Sequence, residues 1–118
     1  MFARQLVIGL LLALVSAPVA WAGQRGQAKE QVEFGIQVAQ RGLWKEAIYR
    51  WERATQLDPG YAAAYNNLAV AYEHEGQLSK ARAAYEKALA LQPDNALVRQ
   101  NYDLFKEIND RAAQKDGR

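Results

Sequence analysis

Cysteine is absent from this 118-residue sequence, and proline and glycine are sparse, with three and eight copies. The absence of cysteine excludes a disulfide framework, thiolate catalysis and cysteine-ligated metals. Proline and glycine break helices, so few breaks are expected. The residues that favour helices, namely Ala, Leu, Gln, Glu, Lys and Arg, are abundant. The chain is therefore predicted to be all-α.

An excess of charge of one sign is also lacking. The 15 basic and 13 acidic residues leave a net charge of +2, and the basic residues are scattered among acidic ones. Proteins that bind nucleic acid usually show a basic stripe or block. No nucleic-acid partner is predicted. Half of the residues are hydrophobic, which is enough for one small packed domain.

The side chains that catalyse hydrolysis in many enzymes are scarce after position 22. That part of the chain has one histidine, His74, one serine, Ser79, and one threonine, Thr55. Glu73 and Glu75 flank the histidine, but neighbours on a helix point in different directions and make a poor metal site. Ser79 is expected to cap a helix start. No enzyme activity, cofactor or metal is predicted.

Residues 1–22 have the pattern of an export signal. One basic residue precedes the apolar run Leu6–Val15, which is too short to span a bilayer as a helix. Ala20 and Ala22 form an A-x-A cleavage site. Cleavage between Ala22 and Gly23 is predicted, and would place the protein in a bacterial periplasm or outside the cell. An uncleaved membrane anchor is the alternative, because apolar residues continue to Ala22.

The remainder of the chain repeats with a period of 34 residues, which identifies a helical-repeat architecture. Identical pairs at this spacing include Gly42 and Gly76, Ala47 and Ala81, Ala54 and Ala88, Leu57 and Leu91, and Pro59 and Pro93. Each unit is predicted to hold two helices, at about 28–41 and 44–57, then 62–75 and 78–91. A glycine ends each first helix, and a proline follows each second helix.

At these positions the sequence resembles the tetratricopeptide repeat family. The second unit carries the family pattern well, at Tyr65, Leu68, Ala69, Tyr72, Ala81, Tyr85, Ala88 and Pro93. The first unit departs from it on its first helix, where Gln31 and Val38 replace aromatics. The large residues expected to fill the space between helices are Trp51, Tyr85, Phe34 and Leu68, opposite the small residues Gly35, Ala47, Ala69 and Ala81.

The resemblance implies five helices in a right-handed superhelical stack of helix-turn-helix hairpins. The predicted organisation is a linker at 23–27, repeats at 28–61 and 62–95, a C-terminal capping helix at 96–113 and a polar tail at 114–118. Asn95 is expected to cap the last helix. Asp103 and Lys106 stand where a further repeat would need a small residue and an aromatic, so this helix is predicted to face water on its far side.

The resemblance also implies a concave groove that accepts peptide segments, lined by the first helix of each repeat. The candidate groove residues are Lys29, Val32, Glu33, Ile36, Asn66, Asn67, Val70, Glu73, His74, Gln100 and Asn101. Some relatives hold a C-terminal carboxylate in this groove with a clamp of Lys, Asn and Arg. Only Asn67 matches that clamp, so binding of chaperone tails is not expected.

Two functions from different classes follow. The first is a non-catalytic scaffold or adaptor outside the cytoplasm, whose groove binds a peptide segment of another protein. The alternative is a structural subunit that works by self-association or by stacking in a larger repeat assembly. Membrane contact is expected only if residues 1–22 are retained.

Overall fold

The computed structural model describes residues 23–117, and these form five α-helices. The helices are α1 (23–40), α2 (Trp44–Leu57), α3 (Ala62–His74), α4 (Leu78–Leu91) and α5 (Ala96–Lys115). The all-α prediction is confirmed, and the helices stack as hairpin pairs. The predicted export signal lies outside the described residues. No helix among the described residues is long and apolar enough to cross a membrane.

The predicted linker at 23–27 is wrong, because these residues are helical and continue into α1. Each glycine there costs a helix about 1 kcal/mol, but the intervening Gln and Arg favour helix, and extending an existing helix is easier than starting one. Arg25 also pairs with Asp58 at the end of α2, with 3.3 Å between Nε and Oδ2. The predicted polar tail at 114–118 likewise begins too early, since α5 continues to Lys115.

The two repeat glycines end α1 and α3 as predicted. Gly42 and Gly76 have φ angles of 77° and 71°, a left-handed conformation that costs glycine little. After Gly42, the Leu43 amide donates to the Val38 carbonyl at 3.0 Å. After Gly76, Gln77 makes the corresponding bond to Tyr72 at 2.8 Å. These bonds satisfy carbonyls that the helix ends leave free.

The other helix ends are set by proline and by one asparagine. Pro59 and Pro93 lie two residues beyond α2 and α4 and cannot continue them. The Asn95 side chain accepts a 3.2 Å hydrogen bond from the Val98 amide, so the predicted cap of α5 is confirmed. The predicted capping role of Ser79 is wrong, because Gln77 occupies the cap position of α4 and no side chain caps it.

Small residues let the helices approach, and aromatics fill the space they leave. Ala47, Ala54, Ala81 and Ala88 are fully buried at equivalent repeat positions. The Trp51 indole packs directly on Gly35 and donates a 3.0 Å hydrogen bond to the Val32 carbonyl. This contact joins α1 to α2 and explains why α1 carries glycine at that point.

Phe34 was expected in the core but is 42% exposed, whereas its repeat equivalent Leu68 is 4% exposed. Leu68 lies between α2 and α4. Within the described residues no helix precedes α1, so only one side of Phe34 is covered. The Arg50 guanidinium lies over its ring, 4.3 Å from the centroid, and partly shields it from water.

The last helix closes the stack by packing on α4. The rings of Tyr102 and Phe105 each lie 5.5 Å from the Tyr85 ring, and Phe105 is 1% exposed. Tyrosine–glutamate hydrogen bonds join both repeat junctions. The Tyr72 hydroxyl donates to Glu52 at 2.7 Å, and the Tyr102 hydroxyl donates to Glu86 at 2.8 Å.

Candidate peptide-binding groove

The first helices α1, α3 and α5 together line a hollow of about 430 Å³. Its lining residues are Lys29, Val32, Glu33, Ile36, Tyr61, Ala63, Asn66, Asn67, Gln92, Asn95, Leu97 and Val98. Six of these were predicted from the sequence: Lys29, Val32, Glu33, Ile36, Asn66 and Asn67. The hollow overlaps the groove that the family resemblance implies, and we call it the groove below.

Amide side chains dominate the polar part of the groove. Asn66 is buried, and its Oδ1 accepts a hydrogen bond from Asn101 Nδ2 at 3.3 Å, which links α3 to α5. Gln92 and Asn95 bond to each other at 2.9 Å at one end. The side chain of Asn67 makes no hydrogen bond to any residue between 23 and 117. Its amide can donate and accept at once, so it is available to a ligand.

Each first helix has a stripe of four residues at helical spacings of four, three and four, of which the first three on α1, the first two on α3 and the first on α5 line the groove. These stripes are Lys29, Glu33, Ile36 and Gln40 on α1; Ala63, Asn67, Val70 and His74 on α3; and Leu97, Asn101, Leu104 and Ile108 on α5. The stripes differ in chemistry from one helix to the next. The α1 stripe carries both charges, while the α5 stripe is apolar at three of its four positions.

The apolar stripe of α5 is exposed. Leu97, Leu104 and Ile108 are 60%, 56% and 58% exposed, and Ile36 on α1 is 40% exposed. Exposed single leucines are ordinary, but several in one row next to a hollow indicate an interaction surface.

Several predicted groove residues have other neighbours. Val70 is half-buried against the core, and His74 stacks on Trp44 with ring centroids 4.0 Å apart. Glu73 accepts a hydrogen bond from the Tyr85 hydroxyl. Gln100 lines a separate hollow on α5, together with Leu104. Val70, Glu73, His74 and Gln100 therefore lie outside the groove lining, and Asn101 contacts it only through Asn66.

Burial also limits what two of the lining residues can offer a ligand. Val32 is 5% exposed and Asn66 is 8% exposed, so both form the floor and leave little surface for contact. The expected apolar strip of Val32, Ile36 and Val70 is therefore reduced to Ile36. Leu97 adds a second exposed apolar side chain to the groove lining. The 34-residue period could have identified it, because Lys29 and Ala63 occupy the equivalent positions.

The groove carries one cation and one carboxylate in its lining, Lys29 and Glu33, four residues apart on α1. Nearby, burial is the main cause that raises the pKa of Glu73, while its bond to Tyr85 and the neighbouring His74 oppose that shift. Among residues 23–117 no three His, Cys, Asp or Glu side chains come together to hold a metal ion. The groove thus offers neutral amides and apolar surface rather than reactive groups.

Comparison with known proteins identifies the repeats. A profile described as "Tetratricopeptide repeat" matches residues 62–95, and a second, described as "TPR repeat", matches residues 37–76. Together they run from 37 to 95, which is 59 of the 118 residues. This chain is a tetratricopeptide repeat protein. Repeats of this family are generally non-catalytic protein–protein interaction modules, and the first match has the bounds predicted for the second repeat.

Similar proteins come from several sources. A chloroplastic tetratricopeptide repeat domain-containing protein of Arabidopsis thaliana, PYG7, is 34% identical over 73 residues, which is 62% of this chain and 24% of that protein. The type IV pilus assembly protein PilF of Pseudomonas aeruginosa is 32% identical over 104 residues, 85% of this chain and 41% of PilF. Mouse protein O-mannosyl-transferase TMTC1 is 37% identical over 67 residues, 57% of this chain but 7% of that enzyme. The chain thus spans less than half the length of each.

Proposed function

We propose that this repeat protein is a non-catalytic adaptor that acts outside the cytoplasm and holds a peptide segment of another protein in its groove. The observation that carries the proposal is the composition of the groove. Asn67 has an unused amide beside exposed apolar side chains on α1 and α5. A peptide segment has both backbone amides and side chains, so it can use both kinds of surface.

The first helix also favours the groove over stacking as the way this protein interacts. Copies that stack end to end would cover the face of α1 that lies away from α2 and α3. That face carries Glu30 and Gln37, where α3 has the fully buried Ala64 and Ala71. Burying a charged side chain without a partner is costly. Self-association through α1 therefore has less support than binding in the groove.

Site-specific photocrosslinking in the source cells tests the proposal. The full chain, tagged at its C-terminus, would carry a photoreactive amino acid at Ile36 in the groove or at Leu78 outside it. These two residues are similarly exposed, at 40% and 45%. We expect a crosslinked partner from position 36 that is absent from position 78 and is lost when Asn67→Ala and Leu97→Ser are added. Identical products from both positions would contradict a groove function.

The location outside the cytoplasm is part of the same proposal. It is supported by the signal pattern in residues 1–22. Mass spectrometry of the full chain expressed in its source cells would decide the point. An N-terminus at Gly23 in the envelope fraction is expected. Intact residues 1–22 in a membrane fraction would support the anchored alternative, and a soluble uncleaved chain in the cytoplasm would refute export.

A further inference from the structure

A second hollow, of about 350 Å³, lies between α2 and α4, and we call it the α2–α4 hollow. Leu68 of α3 forms its floor, and the exposed residues Lys80 and Lys87 of α4 lie at its edge. It shares no lining residue with the groove. We propose that this hollow is a separate binding site for an acidic segment of a partner protein. The segment inserts an apolar side chain between the two lysines and pairs them with carboxylates.

The space in the α2–α4 hollow exists because α4 has small residues where α2 has large ones. In the first repeat, the Arg50 guanidinium lies over the Phe34 ring. The equivalent residues of the second repeat are Ala84 and Leu68. Ala84 cannot reach across Leu68, and the neighbouring Ala83 is equally small, so the space above the leucine stays open. Its volume is at the lower end of the range found for sites that hold small ligands, which suits one large side chain.

The two ammonium groups at the edge of the hollow have no carboxylate partner among residues 23–117. Lys80 Nζ lies 5.7 Å from the centroid of the Tyr72 ring, and Lys87 Nζ lies 5.9 Å from that of Tyr65. Such contacts are weak at exposed sites and leave the N–H groups free to donate. The two lysines are seven residues apart, or about 10 Å along the helix axis. A ligand that pairs with both therefore carries more than one carboxylate.

The single carboxylate in the lining is already hydrogen-bonded. Glu52 accepts a 2.7 Å bond from the Tyr72 hydroxyl, and its backbone carbonyl accepts a 2.7 Å bond from the Thr55 hydroxyl. With two lysines and one glutamate, the lining has an excess of positive charge. The Tyr65 hydroxyl has no hydrogen-bond partner within the described residues and adds another free donor. The unused groups of the hollow are thus all donors, and a carboxylate is the acceptor that suits them best.

The combination of apolar space and cations indicates the class of ligand. An uncharged apolar segment would cover the ammonium groups without pairing them, which is costly, and a basic segment would be repelled. An inorganic anion would use the lysines but leave the apolar space empty. An acidic protein segment supplies carboxylates and an apolar side chain on one chain. The α2–α4 hollow does not depend on the groove function, because the two surfaces have no residue in common.

Selection from random peptides tests the inference without knowledge of the natural partner. Random segments, fused at both ends, would be selected on the immobilised full chain and then measured on variants. Lys80→Gln with Lys87→Gln removes both charges, and Ala83→Tyr fills the space with the residue type that α2 has at the equivalent position. The matched control, Lys45→Gln with Lys115→Gln, removes two exposed lysines outside the hollow. All five positions are exposed, and thermal unfolding checks that each variant keeps its fold.

The expected binders are segments in which acidic residues flank an apolar one. Lys80→Gln with Lys87→Gln should weaken their binding about 10-fold, the combined effect of two exposed ion pairs. Ala83→Tyr should also weaken it about 10-fold, the effect of excluding one apolar side chain. The control double variant should leave affinity unchanged. Fluorescence anisotropy measures each affinity, which should fall as salt screens the charges.

Failure of this site is distinguishable from failure of the groove. If selection yields no acidic segments, or if these bind the variant lacking Lys80 and Lys87 as tightly as the native chain, the α2–α4 hollow is not a site for acidic ligands. If Ala83→Tyr leaves affinity unchanged, the lysines bind acidic segments by charge alone, and the insertion of a side chain is wrong. Asn67→Ala in the groove should not affect these segments. If it does, they bind in the groove, and the second site is overturned while the groove function stands.

Discussion

On α1, α3 and α5, the face that points toward the N-terminal end of the helix stack is formed by the same repeat positions. Its chemistry nevertheless differs between the three helices. On α3 and α5 this face is apolar and mostly buried, whereas on α1 it is exposed and is polar at two of its three positions. The sets are Ala64, Leu68 and Ala71 on α3; Val98, Tyr102 and Phe105 on α5; and Glu30, Phe34 and Gln37 on α1. A repeat position is thus core or surface according to whether a helix covers it, and the residues follow that difference.

The largest expected change in stability concerns Leu68 and Phe34, which occupy the same repeat position. Leu68→Ala should lower the free energy of unfolding by about 2–5 kcal/mol, because a buried leucine leaves a cavity. Phe34→Ala should cost less than about 1 kcal/mol, because its ring already meets water on one side. Urea denaturation of both variants measures the difference. Equal losses would mean that Phe34 is covered in solution by something that the described residues do not contain.

The second comparison lies within α1 and concerns its two helical glycines. A methyl group at Gly35 would overlap the Trp51 indole, while one at Gly26 would meet nothing within 4 Å. Gly35→Ala should therefore destabilise the protein by about 1–3 kcal/mol, the usual cost of overpacking.

Gly26→Ala is the matched control and should stabilise by about 0.5–1 kcal/mol, because alanine favours helix. Thermal unfolding resolves changes of opposite sign. If both variants stabilise the protein, the close packing of α1 on Trp51 is wrong.

The tyrosine–glutamate bonds at the two junctions give a third comparison. Tyr72 is 9% exposed and its bond to Glu52 is partly buried, while the bond from Tyr102 to Glu86 is exposed. Tyr72→Phe should cost about 1 kcal/mol, and Tyr102→Phe a few tenths at most, because exposed bonds compete with water. Chemical denaturation measures both. The reverse order would show that burial does not set the strength of these junctions.

The helix order and the turns were predictable because they depend on local chemistry and on the repeat. Helices end or begin here through contacts between residues that are close in the sequence. The residues concerned are Gly42, Gly76, Pro59, Pro93 and Asn95. The resemblance to the family also predicted six of the groove lining residues.

The errors came from neighbours that the repeat pattern does not show. Phe34 matched the family pattern, but within residues 23–117 no helix covers one side of it. Glu73 and His74 were expected in the groove but pair with Tyr85 and Trp44 instead. Which surface these side chains contact depends on tertiary packing between helices. The exposed apolar residues of α5, Leu97, Leu104 and Ile108, were not among the predicted groove residues.

The smallest effect concerns pH, and it compares the native protein with the variant Glu73→Gln. Burial raises the pKa of Glu73 above the ordinary 4.5, so the native state holds this proton at a pH where the unfolded chain has lost it. Between those two pKa values the native state binds more protons, and stability must fall as the pH rises. Denaturation between pH 4 and pH 7 should show a gap between the native protein and Glu73→Gln that changes with pH in this direction. A constant gap would mean that α4 does not bury this carboxyl, and position 73 would then be open to the groove side.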